Sequence, residues 1–199
     1  MKSDPLDVRT SFSRKLNFII AVSAMLLSIA SFYATYIQAK AADQQVKAMT
    51  YPLIQYSSGN YDKELKASIV NLNLSNHGVG PAIIKKVTFV YSDQLYYSAG
   101  EFLVACCEQE LLNFKSSDNY DETPIESQIN TSFISNIVLP MNSKANILTL
   151  QKYDTNQALW NKINTERFKL KVSVCYCSLL DNCYQTKEAG IIKEVKSCS

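Results

Sequence analysis

The chain has 199 residues, 47% of them apolar, and a net charge of +2. That apolar share supplies a packed core and excludes wholesale disorder. The charge is uneven. Lys2, Arg9, Arg14, Lys15 and Lys40 face only Asp4 and Asp7 before residue 41, whereas the remainder holds 16 acidic and 15 basic residues without a basic stripe, which argues against nucleic acid as a partner.

The first element is apolar. LNFIIAVSAMLLSIASFYATYI, Leu16 to Ile37, has 22 residues and no charge. As a helix it spans about 33 Å, which matches a hydrocarbon core of about 30 Å. Tyr33 and Tyr36 lie near one end, where aromatic rings favour the membrane interface. Arg14 and Lys15 precede the run, so the positive-inside rule keeps the N-terminus cytoplasmic. The expected layout is a cytoplasmic leader over 1–15, a transmembrane helix over 16–38, a helical stalk over 39–50 and an exported β-rich domain over 51–199. Ala39-Lys40-Ala41 has the form of a signal-peptidase site, but a signal sequence carries a shorter apolar core than this run.

Residues 39–50, AKAADQQVKAMT, are rich in helix formers, and Asp43 and Lys47 form an acid-first i,i+4 pair. Pro52 is the expected stop. Ala24, Ser28, Ser31 and Thr35, continued by Ala39, Ala42, Val46 and Met49, draw a seam of small and apolar residues. Such a seam allows self-association or pairing with a partner helix.

Beyond Tyr51 the period changes. Residues 67–75 alternate, with Val70, Leu72 and Leu74 on one face, and AIIKKVTFVY (82–91) places Ile83, Val87, Phe89 and Tyr91 together with Lys85 as an exception. The turn between them holds Asn76, Gly78, Gly80 and Pro81; its glycines permit positive φ and the proline removes a donor. Strand-like residues follow it, so it is not a phosphate loop. Ser98 and Glu101 have capping-box spacing ahead of a helix over about 99–112. Residues 113–128 form a polar, acidic loop. Strands are expected near 130–139 and 145–151. A short helix capped by Thr155 or Asp154 follows, turning Leu159, Trp160 and Ile163 to the sheet. RFKLKVSVCYC (167–177) alternates Phe168, Leu170, Val172 and Val174 with Arg167, Lys169, Lys171 and Ser173. SLLDN turns, CYQTKEA returns, and residues 188–199 form a loose tail with the apolar pair Ile191-Ile192. The expected class is therefore an N-terminal transmembrane helix plus a mainly antiparallel β-sandwich-like domain with two short helices.

NLNLSNHGVGPAIIKKVTFV and the later VCYCSLLDNCY resemble a group of bacterial single-pass membrane proteins that carry an L-x-N-x-G-x-G-P-A-x-I segment and a late cysteine-rich strand. The likeness covers about a quarter of the chain. It implies an inner-membrane protein with a periplasmic domain and carries over no catalytic residue.

All six cysteines, Cys106, Cys107, Cys175, Cys177, Cys183 and Cys198, lie beyond the apolar run. An even count in an oxidising compartment points to disulfides. Cys177 and Cys183 flank the five-residue turn SLLDN and can bond across a hairpin. Cys175 and Cys177 share one strand face. The helix bearing Cys106 and Cys107 could cover that face, so that one of them could pair with Cys175 and the other with Cys198, a connectivity the sequence alone does not select; neighbours in a helix rarely bond to each other. The first of these bonds would close a loop of about 70 residues, on the order of 4 kcal/mol in the chain-entropy model. Fifteen connectivities exist in principle. Zinc is a second expectation to weigh, but C-x-C-x5-C is not a knuckle spacing and His77 is the sole histidine.

His77 sits in the glycine turn without a nucleophile nearby in sequence, which makes it a turn residue before a base. Glu108, Glu110, Asp118, Asp121, Glu122 and Glu126 form no calcium-loop pattern and are expected to be solvated. Tyr51, Tyr56 and Tyr61 either rest on lipid headgroups or pack in the domain. No cofactor and no catalytic or metal-binding residue is expected. The function expected is a membrane-anchored periplasmic binding or accessory subunit, not an enzyme, working through the bilayer and a protein partner. A periplasmic thiol–disulfide redox protein is the alternative. A pilin-like subunit ranks below both, because the processing signal G-F-T-L-I-E is missing.

Overall fold

The computed structural model describes residues 5–116, 128–186 and 190–198. Asp118, Asp121, Glu122 and Glu126 of the acidic loop lie outside them. The chain divides into two compact units, one ending at Lys47 and the other spanning Ala48–Ser199.

The first unit is helical. α1 (Pro5–Met49) starts with proline at its first position, where the missing N–H costs no hydrogen bond. It begins 11 residues before the apolar run, so residues 5–15 of the expected leader are helical and continuous with that run. From Arg14 to Met49 it is long and apolar enough to cross a membrane, and its most apolar window is entirely exposed. Asp43 and Lys47 form the expected pair at 3.0 Å. The hydroxyls of Ser28 and Thr35 donate to the carbonyls of Ala24 and Ser31, both at 2.8 Å. Those seam hydroxyls are thus satisfied within their own helix and need no neighbour.

The second unit is two antiparallel sheets with two helices. The first sheet orders β1 (Ile54–Gly59), β2 (Ile69–Asn76), β7 (Lys144–Gln151) and β5 (Asn130–Thr131) as β1-β2-β7-β5. The second runs β10-β9-β8-β3-β4, from β10 (Ile192–Val195), β9 (Cys183–Thr186), β8 (Lys171–Cys177), β3 (Ala82–Tyr91) and β4 (Gln94–Tyr96). β6 (Ile137–Leu139) also pairs with β3. α2 (Ala99–Lys115) packs against β3, β4 and α3 (Gln157–Glu166), and α3 in turn touches β2, so the helix pair bridges the two sheets. One core runs through both sheets and both helices, with Leu72, Leu74, Ile84, Phe89, Phe102, Leu148, Ile163 and Tyr176 among its fully buried side chains.

β3 differs from simple alternation for a definite reason. Ile84 pairs with Tyr176 and Lys86 with Cys175, so Lys85 is an extra residue in a β-bulge. Before it the even residues Ala82 and Ile84 are buried; after it the odd residues Val87, Phe89 and Tyr91 are. Ile83 therefore faces outward, contrary to expectation. β3 ends in a two-residue hairpin at Ser92-Asp93, both with positive φ, which is the type I′ pattern that suits twisted strands.

Three further expectations shift. Residues 167–170 are not strand but the turn that leaves α3, so Phe168 is 74% exposed and Arg167 is buried. Arg167 donates to Ser58 Oγ at 2.9 Å and to Asn164 Oδ1 at 3.0 Å, and its guanidinium covers the Phe168 ring at 4.1 Å. α3 is preceded by a 3-10 turn over Asp154–Asn156, and its cap position is Asn156 rather than Asp154 or Thr155. Leu159, Trp160 and Ile163 are buried as expected. The tail is not loose throughout, because β10 pairs with β9 from Ile192 to Val195.

Candidate functional site: the paired cysteines and the asparagine turn

Alternation along β8 decides the cysteine chemistry. Val172, Val174 and Tyr176 point into the core, so Ser173, Cys175 and Cys177 point to the outer face of the second sheet. α2 lies on the inner side, where Tyr91 meets Phe102 at 5.4 Å between ring centroids. Cys106 and Cys107 therefore sit on the opposite face of the sheet from Cys175 and cannot reach it. They bond to each other. This overturns the expected bonds from α2 to Cys175 and Cys198, and with them the loop of about 70 residues. The geometric objection to neighbouring cysteines holds for regular helix, and α2 escapes it by leaving helical geometry: Cys107 has φ −144° and ψ 25°.

On the outer face Cys177 and Cys183 stand directly opposite each other in the β8–β9 hairpin and are bonded, with Cα atoms 4.0 Å apart. The returning tail lays Cys198 over the same face, where it bonds to Cys175. The two bridges touch. Cys177 Sγ lies 3.8 Å from Cys198 Sγ. Among the described residues no cysteine is free.

The sulfurs of Cys177, Cys183 and Cys198 fall within 4.8 Å of one another, a spacing that suits a soft metal. A metal needs thiolates, however, and these atoms are held in bridges. His77 is exposed and spends its backbone N–H on the Leu53 carbonyl at 2.8 Å, as a turn residue does. Beside the bridges is an open depression of about 140 Å³, walled by Lys86, Thr88, Ser173 and Gln185 together with Cys175 and Cys198. Lys86 and Gln185 flank Cys175 on the neighbouring strands. Cys175, Cys177 and Cys183 are buried, and Cys198 is the most open of the four.

The turn motif does a different job. Asn76 is buried. Its Nδ2 donates to the carbonyls of Gly80 (2.9 Å), Leu139 (3.1 Å) and Pro140 (3.2 Å). Its Oδ1 accepts from the N–H groups of Gly78 (3.0 Å) and Leu53 (3.2 Å). Gly78 and Gly80 are not at positive φ; among the described residues Gly190 alone of the glycines is. They are needed because the 50–53 backbone lies against them. A Cβ on Gly80 would fall on the Thr50 carbonyl, and one on Gly78 on Tyr51 and Leu53. Pro81 then leads into β3. The motif is a clasp around the segment that enters the folded unit.

Tyr51 packs edge-on against Tyr184 at 4.9 Å, and Tyr56 packs against the core, whereas Tyr61 is exposed. Burial pushes the Tyr56 hydroxyl up to about 12, while Ser58 and the Arg167 charge pull it down. Away from the cysteines, Glu166 is buried between three donors: Tyr91 Oη at 2.7 Å, Lys169 at 2.8 Å and Lys162 at 3.5 Å. Its carboxyl is held below the usual range, chiefly by the hydrogen bond from Lys169, against the opposing effect of burial. Sequence reasoning did not pick out this group, since its members are spread from residue 91 to residue 169.

No protein-family model, no curated protein and no solved structure matches the chain.

Proposed function

We propose that the protein is a single-pass accessory subunit of a bacterial inner membrane, with its β-domain in the periplasm and a protein as its binding partner. The observation that carries this is the pairing of an apolar helix long enough to span a bilayer with a folded unit whose cysteines are bridged. Disulfides belong to an oxidising compartment, and Arg14 and Lys15 at the near end of the apolar run favour a cytoplasmic N-terminus. A domain held at a membrane surface acts on what reaches that surface, and transmission across the bilayer then runs through another subunit.

The second sheet offers contacts suited to such a partner. Along one side of β3, β6 takes residues 82–84 and β4 takes residues 89–91, and among the described residues no strand pairs with the stretch between them on that side. Tyr97 and Phe133, 54% and 82% exposed, line a small depression with Val87 and Phe89 beside that gap. Exposed aromatics next to an open backbone edge suit an extended segment of another chain.

Purification of the full chain in mild detergent is expected to recover a stoichiometric partner. The double substitution Tyr97→Ala and Phe133→Ala is expected to lower that recovery at least about tenfold, the size of one interface hot spot. A lone monomer from the unaltered chain would count against the reading.

A further inference from the structure

The two bridges on the outer face of the second sheet are close enough to exchange. We propose that Cys175, Cys177, Cys183 and Cys198 form a two-step thiol–disulfide relay, entered at Cys198 and fed by a dithiol. This inference does not depend on the binding-partner reading.

Thiol–disulfide exchange requires a thiolate to reach the far side of a disulfide sulfur, through a mixed disulfide, with a stabilised thiolate leaving. The entry sulfur and the leaving group have counterparts in the protein, and the line of attack is reached once Cys198 is released from Cys175. Cys198 is the most open of the four cysteines and lines the depression of about 140 Å³. Lys86, directly opposite Cys175 on β3, lines the same depression with its ammonium 5.8 Å from the centroid of the Tyr97 ring, and from this exposed position it swings to a Cys175 thiolate once one forms, which favours that thiolate. Cys198 Sγ lies 3.8 Å from Cys177 Sγ, a sulfur of the other bridge. The sulfurs of Cys177, Cys183 and Cys198 fall within 4.8 Å of one another, so the freed Cys198 side chain swings about Cys177 to come opposite Cys183 before it attacks.

The steps balance as follows. One sulfur of the dithiol, as thiolate, attacks Cys198 Sγ; a mixed disulfide forms, the Cys175–Cys198 bond breaks, and Cys175 leaves as thiolate beside Lys86. The second dithiol sulfur attacks the first, closing the external disulfide and releasing Cys198 as thiolate. Cys198 then attacks Cys177 Sγ. The Cys177–Cys198 bond forms, the Cys177–Cys183 bond breaks, and Cys183 leaves as thiolate and takes a proton from water. The dithiol has lost two electrons and two protons. The protein has gained them as thiols at Cys175 and Cys183, and one bridge, Cys177–Cys198, remains. The hairpin turn between Cys177 and Cys183 has lost its clamp, so the electron pair taken up at an open sulfur is read out at the tip of the β8–β9 hairpin.

Two measurements on the full chain in detergent test this. In the Cys175→Ser variant Cys198 begins as a thiol beside an intact Cys177–Cys183 bridge. After acid quench, alkylation and non-reducing peptide mapping, the relay requires a Cys177–Cys198 linked peptide and an alkylated Cys183 in more than about a tenth of the molecules. Quantitative alkylation of Cys198 with Cys177–Cys183 intact would overturn it. The unaltered chain provides the second arm and guards against misfolding of the variant. Under stepwise addition of dithiothreitol, Cys175–Cys198 is expected to open first and the Cys177–Cys198 peptide to rise before both bridges are lost. Opening of Cys177–Cys183 ahead of Cys175–Cys198, or loss of both without the crossed peptide, would refute the relay. Cys106–Cys107 is scored separately in the same map.

Discussion

Asn76 spends all its amide hydrogen-bonding capacity on backbone groups from three separate segments: Leu53, the turn to Gly80, and Leu139-Pro140. No other side chain has both the donors and the acceptor in that shape. Asn76→Ala leaves five backbone groups without this partner in a buried site, and each unmade buried hydrogen bond costs about 1 kcal/mol or more. A loss of roughly 3 kcal/mol or more in denaturant unfolding is expected. Asn76→Asp should not rescue it, because a carboxylate cannot donate to the three carbonyls. Tyr56 gives a pH test. Its hydroxyl ionises at about 12 in the folded protein but near 10.0 when unfolded. Its contribution to stability is therefore complete below pH 10 and is lost as pH rises from 10 towards 12, because the unfolded chain ionises first. Tyr56→Phe is expected to remove a share of the alkaline destabilisation on the order of 2 kcal/mol, given about 1.4 kcal/mol per pH unit. Equal slopes of stability against pH for the two proteins would contradict the assignment.

At the scale of elements, bulges and helix breaks carry the information that alternation alone misses. β3 was legible from 82 to 91, and Lys85 stood out in it as a charge on an apolar face. The reason is the bulge, which shifts the inward set from even to odd residues. That gives an unusual expectation for a strand interior. Deleting Lys85 restores regular alternation and keeps Ala82, Ile84, Val87, Phe89 and Tyr91 inward, so the variant should fold with a change in stability of less than about 1.5 kcal/mol. Deleting Thr88 instead turns one end of the strand inside out and should prevent folding. Circular dichroism and a denaturant titration of the two deletions decide the matter, and equal damage from both would refute the register. α2 teaches the converse. Its span was legible from the cap, where Ser98 Oγ accepts from the Glu101 N–H at 3.2 Å. Its bond between neighbouring cysteines was not, because the non-helical turn at Cys107 has no marker such as glycine or proline. The strands β1, β4 and β10 also escaped notice. They are short or edge strands whose exposed and half-buried residues show no clean period.

At the scale of the whole molecule, the class and the compartment expectation came from different physics. The class was legible in periodicity: an uncharged apolar run, then alternating strands and two helices, the order that the structure holds. The disulfide connectivity was legible only where it is local. Cys177 and Cys183 flank one hairpin turn, whereas the Cys175–Cys198 bond depends on which face of the second sheet the tail crosses, a matter of three-dimensional packing. The result also resizes the stabilising role of the bridges. Cys175 and Cys198 are 23 positions apart and Cys177 and Cys183 are 6 apart. The chain-entropy model assigns the longer loop about 3 kcal/mol and the shorter about 2. The short loop lies inside the long one, so their sum of about 5 kcal/mol is an upper bound. A single domain is stable by about 5–15 kcal/mol in all, so the bridges account for a large share of what keeps this unit folded. Excess reductant is therefore expected to lower the unfolding free energy of the full chain by several kcal/mol, read from denaturant titrations with the slope fitted separately in each redox state, because opening the bridges expands the unfolded chain. A chain retained in a reducing cytosol would carry the same penalty. Under the proposed topology stability depends on delivery: a helix that carried the domain across a membrane would also determine whether its cysteines are bridged. If the unfolding free energy were the same with and without reductant, the bridges would be incidental to folding, and the case for an oxidising compartment would lose its physical basis.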